Sequence, residues 1–117
     1  MANVGTTDYK GNWKGIAGIA GVNDNDVVLR AENIEDFREF ALMSTAGVMD
    51  VLVSLDGTNY TTAPLSLVDL GATATTPVLV TVAGRLYRFI GCYKHIAIRQ
   101  NGAVAVANAY LTCSNPA

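Results

Sequence analysis

From Val27 to Thr112 the chain alternates short β-branched and aromatic runs with Gly, Pro, Asn and Thr turn signals, and no stretch keeps a helical period beyond two turns. This alternation restricts the fold more than any other feature. Successive side chains on a pleated strand point to opposite faces, so short alternating runs bounded by turn residues are half-buried strands. Val27–Arg30, Phe37–Thr45, Val48–Leu55, Val78–Val82, Leu86–Ile90, Tyr93–Gln100 and Ala103–Thr112 read as strands. Phe40 and Leu42 share one face of their run, and Met49, Val51, Val53 and Leu55 share a face of the next. Asp56–Asn59 is a turn in which Gly57 supplies positive φ. Seven or eight short strands at this spacing predict an all-β chain: a β-sandwich of jelly-roll or Ig-like type over residues 26–117.

Residues 1–25 read differently. They carry Gly5, Gly11, Gly15, Gly18 and Gly21, a density that breaks regular elements and raises the entropy cost of ordering them. The expectation is an extended Gly-rich N-terminal arm that reaches about 80 Å when fully stretched. Tyr9, Trp13, Ile16 and Ile19 are its large side chains. An indole on an arm is best used as an anchor in a partner's pocket. All four are therefore candidate partner-binding residues.

Asn101–Gly102 is a strong short hairpin signal. A two-residue turn there pairs positions whose numbers sum to 203, setting Ile98 against Ala105, Tyr93 against Tyr110 and Cys92 against Leu111. Cys113 then lies diagonal to Cys92, about 7 Å away between Cβ atoms and too far for an unstrained disulfide. Two buried free thiols are expected, as suits folding in a reducing cytoplasm.

Composition narrows the function. The 117 residues carry 8 Lys+Arg against 10 Asp+Glu, a net charge of −2, so no strong positive field exists for nucleic acid or an anionic membrane. No apolar run reaches the length needed to cross a bilayer, and no basic region precedes an apolar one as in a secretory signal. One His and two Cys leave little for a metal site. His95 has no nucleophile or carboxylate at a meaningful spacing and reads as a surface or interface histidine. Asn23–Asp26 reads as a solvated turn rather than a calcium loop, which needs a downstream bidentate acid. No cofactor and no enzyme activity are expected. Charged residues make up only 15% of the chain, where about 25% is ordinary, which leaves more apolar surface than a small monomer needs to hide. Arg85, Tyr87 and Arg88, close in sequence, have the Arg/Tyr character favoured at protein interfaces and join the candidate partner-binding set.

The run Val53-Ser54-Leu55-Asp56-Gly57-Thr58-Asn59-Tyr60, followed by Tyr93-Lys94-His95-Ile96-Ala97-Ile98-Arg99 and Asn101-Gly102, resembles a pattern common in tailed-bacteriophage virion proteins. The resemblance covers residues 46–113 and implies a β-sandwich. With the small size and the arm, the chain is similar to capsid decoration (cement) proteins. That resemblance implies a structural protein on the outside of a virion capsid. It would be a homotrimer clamping neighbouring subunits of the major capsid protein, with residues 1–25 as the contact, so that deleting residues 1–20 would leave the sandwich folded and abolish capsid binding. Two alternatives stand beside it: a glycan-binding module of a tail or adhesin that stacks sugar on Tyr93 and Tyr110, and a head–tail connector or tail component.

Overall fold

The computed structural model describes residues 6–10 as backbone, and residues 13–71 and 77–115 in full. Among the described residues nine strands follow in order: β1 (Thr6–Lys10), β2 (Trp13–Ala17), β3 (Val27–Glu32), β4 (Glu39–Met43), β5 (Met49–Ser54), β6 (Val68–Asp69), β7 (Tyr87–Ile90), β8 (His95–Gln100) and β9 (Tyr110–Ser114). They form two antiparallel sheets, one ordered β1-β2-β9-β4-β7-β6 and one ordered β3-β8-β5. The chain is all-β, as its punctuation predicts.

The alternation of each strand builds the core between the sheets. From the six-stranded sheet, Ile16, Phe40, Leu42, Tyr87, Phe89, Leu111 and Cys113 point inward. Leu29, Ala31, Val51, Val53, Ile96 and Ile98 meet them from the other sheet. Phe40 and Phe89 stack at 5.0 Å between ring centroids, and Tyr93 closes on both at 5.8 and 6.3 Å. In β5 both faces are buried. On its outward side Asp50, 1% exposed, holds Arg99 in a two-pronged ion pair of 3.0 Å per bond, and Asn101 Nδ2 donates to the same carboxylate at 3.1 Å.

The structure corrects four expectations. Residues 13–17 are not part of a free arm. β2 pairs in register with both β1 and β9, and Ile16 is fully buried, because a Gly-rich segment that carries one large apolar side chain at the right phase can be ordered by an open strand edge. The boundary at residue 25 therefore does not separate a sandwich from an appendage.

Asn101–Gly102 does not turn a hairpin. Both edges of β8 are taken, by β3 and β5, so no edge is left for a returning strand and the chain crosses to the other sheet. The buried Gln100 amide holds this crossover: its Nε2 donates to Val22 O and Gly102 O, and its Oε1 accepts from Val106 N at 3.1 Å. Tyr93 and Tyr110 thus belong to different places.

Val78–Val82 is not a strand: only Val78 forms a bridge, to Leu67, and Val80 and Val82 are exposed. The two thiols are unpaired, with Cys113 buried and Cys92 exposed rather than buried.

Candidate interaction surface

The outward face of the six-stranded sheet is set by register. One row runs Trp13, Ser114, Glu39, Ile90 across β2, β9, β4 and β7. A second runs Gly15, Thr112, Ala41, Arg88, Val68. A third runs Ala17, Tyr110, Met43. Leu86 continues the outward alternation of β7 and is exposed, as are Ile90, Met43 and Val68. Among the described side chains of these rows only Glu39 and Arg88 are charged. The register of β1 sets Asp8 opposite Gly15 and Lys10 opposite Trp13, so charged residues stand at the rim.

Gly15 shapes one end of this face. A Cβ there would collide with the Tyr110 hydroxyl and with the six-membered ring of Trp13. The two aromatic side chains converge over the bare backbone, lying along the sheet instead of standing away from it. Each stays half-buried and so keeps part of its surface open to solvent. Trp, Tyr, Met and Arg in a field depleted of charge is the composition of the centre of a protein interface.

The predicted partner-binding residues divide accordingly. Trp13 and Arg88 lie on this face. Ile19 is 52% exposed beyond the end of β2. Tyr9 sits at the register position opposite Lys14, and its side chain lies outside the described residues. Ile16 and Tyr87 are corrected: both are core residues, and the Tyr87 hydroxyl accepts a hydrogen bond from Val82 N at 2.7 Å. Alternation explains both, since each neighbours an outward-facing residue in sequence. Arg85 spends its charge within the molecule, on Asp69 at 2.7 Å. Desolvation pushes the Asp69 carboxyl up, but the Arg85 hydrogen bond, the Gly71 amide and the Arg85 charge outweigh it and leave the carboxyl lowered. Tyr110 was expected on a binding face, but beside Tyr93; Met43 and Ile90 escaped sequence reasoning as interface candidates, because their common face depends on strand order and periodicity does not carry strand order.

A second feature is a cleft of about 410 Å³ between Val53, Leu55, Asp56, Asn59, Tyr60, Thr61 and Tyr93. Its rim is the predicted turn. Gly57 there has φ of 84°, and Asp56 Oδ1 accepts from Ser54 Oγ, Thr58 N and Asn59 N at 2.8–3.0 Å. The Asn59 amide first, then that of Thr58, hold the Asp56 carboxyl well below the usual carboxylate range. Its oxygens are committed to the turn, so Asp56 is a brace rather than a free acid.

His95 is half-buried, opposite Glu32 and Ser54, and its Nδ1 accepts from Asn33 N at 3.1 Å. Among the described residues no group of three His, Cys, Asp or Glu stands close enough to hold a metal ion. Among the described residues no helix is long and apolar enough to cross a membrane.

No protein-family model matches the chain, and no curated protein matches it in sequence. Among solved structures it is similar to the crystal structure of the SPBc2 prophage-derived protein YomS, at a TM-score of 0.65 and 10% identity over 96% of this chain and 97% of that one. The likeness is one of fold, and it runs through nearly the whole of both chains.

Proposed function

We propose that this chain is a non-enzymatic structural component of a tailed-phage particle, a decoration protein that sits on the capsid and ties neighbouring major capsid protein subunits together. The observation that carries this reading is the outward face of the six-stranded sheet. It is broad, poor in charge and set with Trp13, Tyr110, Met43 and Arg88, on a fold shared end to end with a prophage-derived protein. Such a face suits repeated contacts with protein partners, where many copies on one lattice add avidity to modest single affinities. The test is to purify particles made by the genome that encodes this chain and to quantify it against the major capsid protein. Capsid-level stoichiometry, with density on the outside of the head in cryo-electron microscopy, is the expected result. A few copies at the tail would move the reading to a connector or tail component, and absence from the particle would overturn it.

The cleft beside Tyr60 and Tyr93 favours a second reading, a saccharide-binding module. Two phenol rings with the Asn59 amide and the Thr61 hydroxyl offer stacking and hydrogen-bonding groups at one place. It differs from the expected Tyr93–Tyr110 pair, whose members lie apart. Saturation-transfer NMR with glucose, galactose and N-acetylglucosamine tests it. Transfer lost in Tyr60→Ala would support it, and no transfer from any of the three would dismiss it.

A further inference from the structure

The outward sheet face has an internal symmetry of charge that selects its occupant. Arg88 on β7 and Glu39 on β4 are its two charged side chains among the described rows, and neither forms an ion pair among the described residues. Glu39 lies opposite Ile90, two residues along from Arg88, so the two residues are diagonal neighbours whose backbone positions stand about 7–8 Å apart. We propose that this face binds the same face of a second copy of this chain, through a two-fold axis lying in the interface and bisecting the line from Arg88 to Glu39. This rests on the structural reading above and names one partner of that site.

Rotation about such an axis carries Glu39 of one copy onto the position facing Arg88 of the other, and the reciprocal pair forms by the same operation. An isologous contact requires this self-complementarity. The axis passes between β4 and β7, next to the middle of the five strands β2, β9, β4, β7 and β6, so the two apolar fields overlap nearly fully. With strands about 4.8 Å apart and a rise of about 3.4 Å per residue, the axis sets the two sheets' strands about 70° apart, near the orthogonal class of sheet packing.

Area is consistent with a specific dimer. The 21 residues of these five strands, of which β7 has four and β6 only two, project a flat area of about 340 Å² from the same spacings. Side-chain relief raises the accessible area towards the roughly 600 Å² per partner at the lower end of specific interfaces. That is near a tenth of the 6172 Å² accessible surface of the protomer. An interface at this lower end is a reversible one, as a building block that joins a larger assembly requires.

Sedimentation equilibrium and native mass spectrometry of the full chain at rising concentration test the proposal. The expected result is a monomer–dimer equilibrium, weakened about tenfold or more by Ile90→Glu, a change of at least 1.4 kcal/mol. Ile90 is 61% exposed, so the variant folds, and Val104→Glu, at a site 65% exposed on the crossover between β8 and β9, leaves the equilibrium unchanged. Glu39→Arg and Arg88→Glu each weaken self-association, because like charges then face each other. An equimolar mixture of these two variants forms the mixed dimer, since every facing pair is again opposite in sign. A monomer at all concentrations, a trimer, or single-charge variants that fail to recover on mixing would each overturn the proposal. A monomer that still occupies capsids at high stoichiometry would overturn this inference alone and leave the particle reading standing.

Discussion

The Trp13 ring and the Tyr110 hydroxyl meet over Gly15, whose missing side chain is the space they fill. Trp13 precedes Gly15 by two residues on β2, and Tyr110 reaches it diagonally from β9. A methyl group at that point must push both rings off the sheet. Gly15→Ala is therefore expected to lower stability by about 1–3 kcal/mol, the usual cost of overpacking, although Ala improves on Gly in intrinsic strand preference. Urea unfolding measures it. A variant as stable as the parent would mean that the rings do not rest on the backbone.

Asp50 and Arg99 form the other relationship on which the fold depends. Asp50 is 1% exposed and receives two bonds from Arg99 and one from Asn101. Removing the carboxylate leaves a guanidinium and an amide without their acceptor. Asp50→Ala is expected to cost about 3 kcal/mol, the low end for a broken buried pair, because the Arg99 side chain keeps 24% exposure and can turn to water. Arg99→Lys should recover only part of the loss of Arg99→Ala, since an ammonium cannot make the two parallel bonds. Full rescue by Lys would show that charge alone, and not the fork, is what Asp50 needs.

How much of this was legible in the chain can be read from particular residues. Phe40, Leu42, Met49, Val51 and Val53 announced their burial by alternation, and the Asp56–Asn59 turn announced itself by composition. Leu55 broke the same alternation, because the strand ends at Ser54 and the chain turns away into solvent. The Gly-rich start misled for a definite reason. Glycine content describes the cost of ordering a segment, while Ile16 and the open edge of β9 decide whether that cost is met. The hairpin signal at Asn101–Gly102 misled because local turn chemistry cannot know that β5 already occupies the edge of β8. A deletion of residues 1–20 is thus expected to destabilise the sandwich itself. Ile16→Ala alone should cost about 2–5 kcal/mol, as for other buried large-to-small changes, and a truncated chain with a native melting curve would restore the separable arm.

The two cysteines differ in a way that solution chemistry reads directly. Burial pushes the Cys113 thiol up to about 12 from an ordinary 9.0, with the Lys14 charge opposing only in part. Cys92 is exposed. A thiol reagent at mild alkaline pH is expected to modify one sulfur in the folded protein and both in denaturant, because the thiolate is the reactive form. The native label should vanish in Cys92→Ser and persist in Cys113→Ser. Equal reactivity of both thiols in the folded protein would contradict the packing of Cys113 beneath Phe40 and Leu111.

Acid should act through Asp56 and Asp69. Both carboxyls are held below their ordinary value of 3.8, Asp56 by the Asn59 and Thr58 amides, and Asp69 by Arg85 and Gly71 against its desolvation. A carboxyl whose folded value is depressed binds fewer protons folded than unfolded in the window between the two values. Its stabilising contribution is then complete above the unfolded value and is lost as pH falls towards the folded one. Melting temperature is expected to be level down to about pH 5 and to fall below pH 3.8, with the turn at residues 55–60 loosening as Asp56 takes its proton. Asp56→Asn removes that titration and keeps the side chain's shape. Its acid slope should be shallower than the parent's, while its stability at neutral pH is lower, since a neutral oxygen accepts the three turn donors less strongly than a carboxylate. Parallel slopes for the two proteins would assign the acid sensitivity elsewhere and leave Asp56 a geometric brace whose charge is incidental.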